Sequence, residues 1–187
     1  MYKLCKTERS AMRQRQQELA LMEAMLTRHY DEISVSDLCE RMQVPRKSFY
    51  RYFSGKDGAL HGLIDHTLLE FEWNLDVESQ NGSKGRVQLE RFFRFWEQHR
   101  PLLDALERSG MGGVLIERAI RQAVAESSQY AYHSQMDQVQ LESTAMFGVC
   151  GLMSMVLQWH HEKSHLSVEQ MADIAVRIMS APLLEKE

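Results

Sequence analysis

Along most of the chain, apolar residues recur every three or four positions, and they never alternate with polar ones for long enough to form a strand. Met12, Leu19, Met22, Met25 and Leu26 predict a first helix over about residues 8–28, with a basic, exposed start. Ser34, followed by Asp37 at the third position, predicts an N-cap with a near capping box for a short helix carrying Leu38 and Met42. Pro45 suits the first turn of another helix, Arg46 to Phe53, because its φ is fixed and it has no N–H to satisfy. Two short helices therefore meet at a tight turn.

Ser54-Gly55 interrupts the pattern, and Lys56 opens a long helix with Leu60, Leu63, Ile64, Thr67, Leu68, Phe71 and Leu75 on one side. Gln80-Asn81-Gly82-Ser83-Lys84-Gly85 is the most loop-like stretch. Further helices are marked by Leu89, Phe92, Phe93 and Trp96, by Pro101, and by Ile116, Ala119, Ile120 and Val124 after the glycines at 110, 112 and 113. From Asp137 the residues Leu141, Ala145, Gly148, Leu152, Met155 and Trp159 step by four and three, a heptad-like seam. A last helix begins at Ser167, with Gln170 completing a capping box, and stops before Pro182. These elements predict an all-α chain: a three-helix domain over 1–55 and a helical body over 56–187.

Charge changes this picture by its distribution. The net charge is −4, yet residues 1–66 hold eleven Lys or Arg against nine Asp or Glu, and the remainder eleven against seventeen. Pro45 to Lys56 contains Arg46, Lys47, Arg51 and Lys56 with no acid, and the first fifteen residues hold five bases against Glu8. Cys5, Cys39 and Cys150 are odd in number and widely spaced, which suggests neither a disulfide framework nor a thiolate zinc site and fits a reducing cytoplasm. The longest nearly continuous apolar run, Ala145 to Leu157, is thirteen residues and falls short of a bilayer, so no membrane partner is expected.

Two short helices at a tight turn, the second opening on basic and hydroxyl residues, make a helix-turn-helix. Such a recognition helix enters the major groove N-terminus first, so Arg46, Lys47 and Ser48 are candidates for base edges, while Tyr50, Arg51, Tyr52, Lys56 and Ser34 are candidates for phosphate. At Ile33 to Cys39, at Val44, and at Ser48-Phe49-Tyr50-Arg51-Tyr52-Phe53-x-x-Lys56 the chain resembles the N-terminal domain of the TetR family, over about residues 8–65. The resemblance implies a DNA-binding repressor, homodimeric and responsive to a small molecule. It implies phosphate-binding positions at Ser34, Tyr50 and Lys56, and a core of Leu38, Val44, Phe49 and Phe53. Gln43 stands where the family has glycine in the turn, so it is expected to take a left-handed backbone at modest cost. His29 replaces a usual Gly or Pro, and Pro45 replaces a hydroxyl cap. Phe49, Tyr50, Tyr52 and Phe53 cannot all face one side of a helix.

The run Ala145 to Leu157 is apolar nearly all round, which requires burial on more than one side. Pairing it and the last helix with a second copy provides that, and the expected interface comprises Ala145, Gly148, Gly151, Leu152, Met155, Trp159, Met171, Ile174 and Ile178. A central helix within one subunit is the alternative. Trp73, Phe92, Phe93, Trp96, Met111, Met136 and Phe147 are candidates for a pocket taking an apolar or aromatic effector, each also readable as ordinary core. His161-Glu162-Lys163-Ser164-His165 matches H-E-x-x-H, the pattern of zinc peptidases. It falls where a helix should end and no third ligand follows, so neither metal, cofactor nor enzymatic activity is expected. A helical adaptor would leave the bases of the recognition helix unexplained.

Overall fold

The computed structural model describes residues 1–3, 5–71, 83–127, 136–162 and 165–180, and these are helical with no strand among them. The helices are α1 (Glu8–Met25), α2 (Val35–Arg41), α3 (Arg46–Tyr50), α4 (Lys56–Glu70), α5 (Ser83–Gln98), α6 (Arg100–Arg108), α7 (Gly112–Ser127), α8 (Gln138–His161) and α9 (Val168–Ser180), with a 3₁₀ turn at Tyr30–Glu32. Local chemistry sets several of their ends. Ser34 and Asp37 form a full capping box, as do Asp137 and Gln140, while Ser167 and Gln170 exchange the same pair of bonds. Gly110, at φ +65°, closes α6 in the left-handed region that glycine tolerates.

Helix α4 lies between two bodies, packing on α1 on one side and on α7 on the other. A single core runs through both, from Leu21, Leu38, Phe49 and Phe53 through Leu60, Leu63 and Ile64 to Trp96, Leu103 and Val156. The α1 face differs from the one expected. Met12 and Leu19 are exposed, and the stripe turned inward is Gln14, Gln17, Glu18, Leu21, Ala24 and Met25. Its polar half is matched by α4: Glu18 meets His66 Nδ1 at 2.9 Å, and Arg15 reaches the Leu63 carbonyl and the Glu70 carboxylate. Hydrophobic periodicity cannot reveal a seam filled partly by polar groups.

Helix α8 is longer than its apolar run. At 24 residues, with a mean hydropathy of 1.3 in its most apolar window, it is long and apolar enough to cross a membrane by length and composition alone. The thirteen-residue apolar run read from the sequence lies within this longer helix. One side of it packs along α7, with further contacts to α6. The heptad-like seam turns inward: Leu141, Leu152 and Trp159 are buried within the subunit, with Met153 and Val156 beside them. The opposite side, with Val139, Met146, Phe147, Cys150 and Gly151, is exposed.

Candidate functional site

The helix-turn-helix is built from short-range bonds. Ser34 Oγ accepts from the Asp37 N–H at 3.1 Å, and Asp37 Oδ2 accepts from the Ser34 N–H at 3.0 Å. That bond, then the Arg28 guanidinium, holds the Asp37 carboxyl below its ordinary range. Gln43 adopts φ 54°, the left-handed conformation expected of it, and the Val44 N–H closes the turn on the Cys39 carbonyl at 2.9 Å. Pro45 occupies the N-cap of α3 and supplies no side-chain cap. Phe49 is fully buried beneath α3, which fixes the face presented outward.

Arg46, Lys47 and Arg51 are exposed on that outward side, and none makes an ion pair among the described residues. Arg46 instead lies against Tyr50, its guanidinium 5.9 Å from the ring centre and 3.4 Å from the hydroxyl. Ser48 and Arg51 line a cleft of about 520 Å³ with Arg13 of α1. Nothing in the sequence sets Arg13 apart from its basic neighbours. The five bases among the first fifteen residues were its signal, but only the packing of α1 brings one of them beside α3.

Two expected contact residues sit differently. Tyr52 is 5% exposed, its ring packed 6.3 Å from Phe53, so it serves the core. It lies just past the last turn of α3, where the chain turns inward toward α4. Lys56 is half-buried at the start of α4. Its ammonium donates to the Tyr30 carbonyl at 2.6 Å and lies 4.1 Å from the Tyr30 ring centre, which leaves two of its three protons for an anion. Tyr30 donates its hydroxyl to Asp57 at 2.6 Å and its N–H to Ser109 at the end of α6 at 2.9 Å. Burial, then Asp57, pushes the Tyr30 phenol far up, so it stays protonated. The start of α4 and the end of α6 therefore meet at Tyr30.

In the body, a cavity of about 420 Å³ is lined by Phe71, Phe92, Trp96, Val149, Leu152 and Met153, with Gln122, Glu126 and Thr144 as its polar groups. Of the residues expected there, Phe92 and Trp96 line it. Phe93 is buried against Trp159 with ring centres 5.9 Å apart, Met111 packs at the edge of the core, and Met136 and Phe147 are exposed. Trp73 lies outside the described residues. The aromatic residues of α5 point to different sides of the helix, which composition does not resolve.

The expected interface residues also divide. Leu152, Trp159 and Met171 are buried inside the subunit; Ala145, Gly148, Met155 and Ile174 are half-buried; Gly151 and Ile178 are exposed. Helix α8 has two apolar sides, and spacing alone does not say which one faces home. The H-E-x-x-H residues are split by the end of α8: His161 is its last residue, Glu162 its cap, and His165 follows it, with 163–164 outside the described residues.

A short-turned helix pair presenting unpaired bases, joined through α4 to a cavity-bearing helical body, defines a helix-turn-helix DNA-binding regulator. Residues 20–61 match the family model described as bacterial regulatory proteins of the tetR family, so this N-terminal segment is similar to that family's DNA-binding domain. Among solved structures, it superposes on the dihydroxyacetone kinase operon activator DhaS with a TM-score of 0.60, at 13% identity, over 90% of this chain and 94% of that one. It superposes on a tetR-family transcriptional regulator from Streptomyces coelicolor with a TM-score of 0.57 (19% identity, 90% and 78% covered). For the fatty acid degradation regulator FadR from Bacillus halodurans the TM-score is 0.58 (13% identity, 98% and 100% covered). At these identities the likeness concerns the fold. No curated protein matches the sequence.

The cap offers a test that separates folding from DNA contact. Ser34→Ala is expected to cost about 1 kcal/mol of stability through the lost N-cap bond. Ser34→Asp keeps an N-cap acceptor but adds negative charge where a phosphate would lie, so it should retain stability and lose DNA affinity. Urea denaturation and a DNA-binding isotherm on both variants check this; equal affinity of Ser34→Asp and wild type would place the α2 start away from the backbone.

Proposed function

We propose that this protein is a ligand-responsive transcription repressor that binds a near-palindromic operator as a homodimer in the cytoplasm. The observation that carries the DNA reading is the set of exposed, unpaired bases Arg46 and Lys47 on the first turn of α3, above a buried Phe49. Arg and Lys match the acceptors of guanine in the major groove. Ser48 adds a hydroxyl at the same end, and Ser34, Tyr50, Arg51 and Lys56 flank it as phosphate contacts, with Arg13 beside Arg51. The division at 55/56 assigns α4 to the body, where it carries effector-side changes to Lys56. Selection of bound sequences from random DNA tests the reading, and a pool that shows no enrichment defeats it.

The cavity at Phe92 and Trp96 supports an effector with an apolar or aromatic body, since its size falls in the ordinary range for small-molecule sites. The outer side of α8 supports the dimer. Val139, Met146, Phe147, Cys150 and Gly151 are exposed there, and Ile178 of α9 is exposed too. Phe147 is 72% exposed, a large apolar ring whose burial against a second copy would remove it from water. Phe147→Asp is therefore expected to convert the dimer to monomer in analytical ultracentrifugation without lowering its denaturation midpoint as a monomer. Gly151→Leu should act the same way, because a side chain there meets nothing within its own subunit. If Phe147→Asp stays dimeric, the copies pair through another face.

A further inference from the structure

At the junction of α6 with the end of α8, three ligating groups converge that no spacing in the sequence connects. Asp104 and Glu107 stand at i and i+3 on α6, neighbours on one face of the helix. His160 comes from the last turn of α8. One ligand atom from each lies within 4.8 Å of the others. His160 Nε2 is 3.1 Å from Asp104 Oδ1 and 3.5 Å from Glu107 Oε2. We propose that Asp104, Glu107 and His160 form a binding site for a divalent transition-metal ion of the zinc type.

Three features carry this beyond mere proximity. First, the separations fit a shared ion: ligands bonded at about 2.0–2.2 Å around a four- or six-coordinate centre lie about 3.0–3.5 Å apart. Second, His160 Nε2 is buried yet makes no hydrogen bond of acceptable geometry, despite having two carboxylate oxygens within reach. Its axis meets neither oxygen squarely, whereas an ion set between all three engages the lone pair and both carboxylates. Third, neither carboxylate is paired with Lys or Arg among the described residues; their basic partners are His160 and His161. His161 Nδ1 lies 2.5 Å from Glu107 Oε1 and so steadies the carboxylate from behind, the supporting role that groups around a metal centre commonly play.

One imidazole nitrogen and two carboxylate oxygens suit zinc, nickel or cobalt better than calcium or magnesium, which take oxygen alone. A cavity of about 400 Å³, also lined by Glu97, Arg100 and His165, borders the site and leaves room for water on the ion. The H-E-x-x-H pattern thus marks the right neighbourhood with the wrong ligands: its first histidine supports the site and its second only lines the cavity. This departs from the expectation of no metal. The ion would tie α6 to α8, and the residue capping α6, Ser109, meets Tyr30.

Untagged protein titrated with zinc against a chromophoric chelator, and separately with cobalt followed by its visible absorption, tests the site. The expected result is one zinc per chain, with a raised thermal midpoint on saturation. His160→Gln, and Asp104→Asn with Glu107→Gln, should each weaken binding by at least about tenfold and abolish the thermal shift and the cobalt spectrum. His165→Gln should leave all three unchanged. Asp104 and Glu107 are exposed, so their amide variants keep the fold, and a loss of binding there is not a loss of structure. The proposal is overturned if sub-millimolar zinc does not bind, or if binding survives His160→Gln but is lost in His161→Gln/His165→Gln.

Discussion

Arg118→Ala is expected to destabilise the protein by about 3–5 kcal/mol, the range for removing one partner of a buried ion pair. Arg118 on α7 donates to both oxygens of Asp65 on α4, with Nε to Oδ1 at 2.6 Å. The two side chains are only 17% and 15% exposed. The sole other group bonded to this carboxylate among the described residues is Tyr2, whose hydroxyl donates at 2.8 Å. Burial, then Asp65, pushes that phenol up to about 12, so at neutral pH it is a neutral donor and cannot replace the lost charge. Alanine would therefore leave a largely buried carboxylate facing one neutral hydrogen bond. Replacing the pair together, Arg118→Met with Asp65→Leu, should cost less than the single change, because no uncompensated charge remains. A second readout is independent of stability. Burial and then Arg118 hold the His61 imidazole below its ordinary range, so its titration followed by NMR should move upward in Arg118→Ala. A urea midpoint equal to wild type, with His61 unmoved, would show that the pair is solvated and does not hold α7 to α4.

Arg46→Ala or Lys47→Ala is expected to weaken binding to the preferred operator by about 1–3 kcal/mol for each half-site and to relax preference at one or two base pairs, if the contact is bidentate to guanine. Arg51→Ala should weaken binding to all sequences alike and lower the salt slope by about one unit per subunit. This follows from placement. Arg46 and Lys47 occupy the first turn of α3, the end proposed to enter the groove first, while Arg51 caps its far end and shares a cleft with Arg13. Tyr50→Phe carries a refinement that the structure adds, since its hydroxyl is the group against which Arg46 rests. The variant should loosen Arg46 and so affect selectivity as well as affinity. Lys56→Ala removes the proposed phosphate contact and also the bond to the Tyr30 carbonyl. It should therefore lose some stability along with its uniform effect on affinity, which makes Arg51 the cleaner probe. Isotherms on selected and scrambled DNA at several salt concentrations decide the matter. Altered sequence preference in Arg51→Ala, with none in Arg46→Ala and Lys47→Ala, would mean that α3 enters the groove from its other end.

The sequence by itself determined where the helices begin and how the reading head turns. Ser34, Asp137 and Ser167 cap helices through bonds to residues three positions on, and Gln43 takes its left-handed angle inside a turn of a few residues. Interactions of that range are written in neighbouring letters. Exposure of Arg46 and Lys47 above Phe49 follows from the same short helix. Tertiary structure alone decided which side of each helix is inside. On α1 the buried stripe runs through Gln14, Gln17 and Glu18, because α4 offers His66 to Glu18 and receives Arg15. On α8 the heptad-like seam packs home against α7 and Phe147 turns outward, because periodicity defines a face but not the surface that will cover it. Tyr52 joins the core because the chain bends toward α4 just after α3. The cluster of Asp104, Glu107 and His160 lies furthest from sequence reading, since its partners are separated by more than fifty residues and meet only where α6 crosses the end of α8.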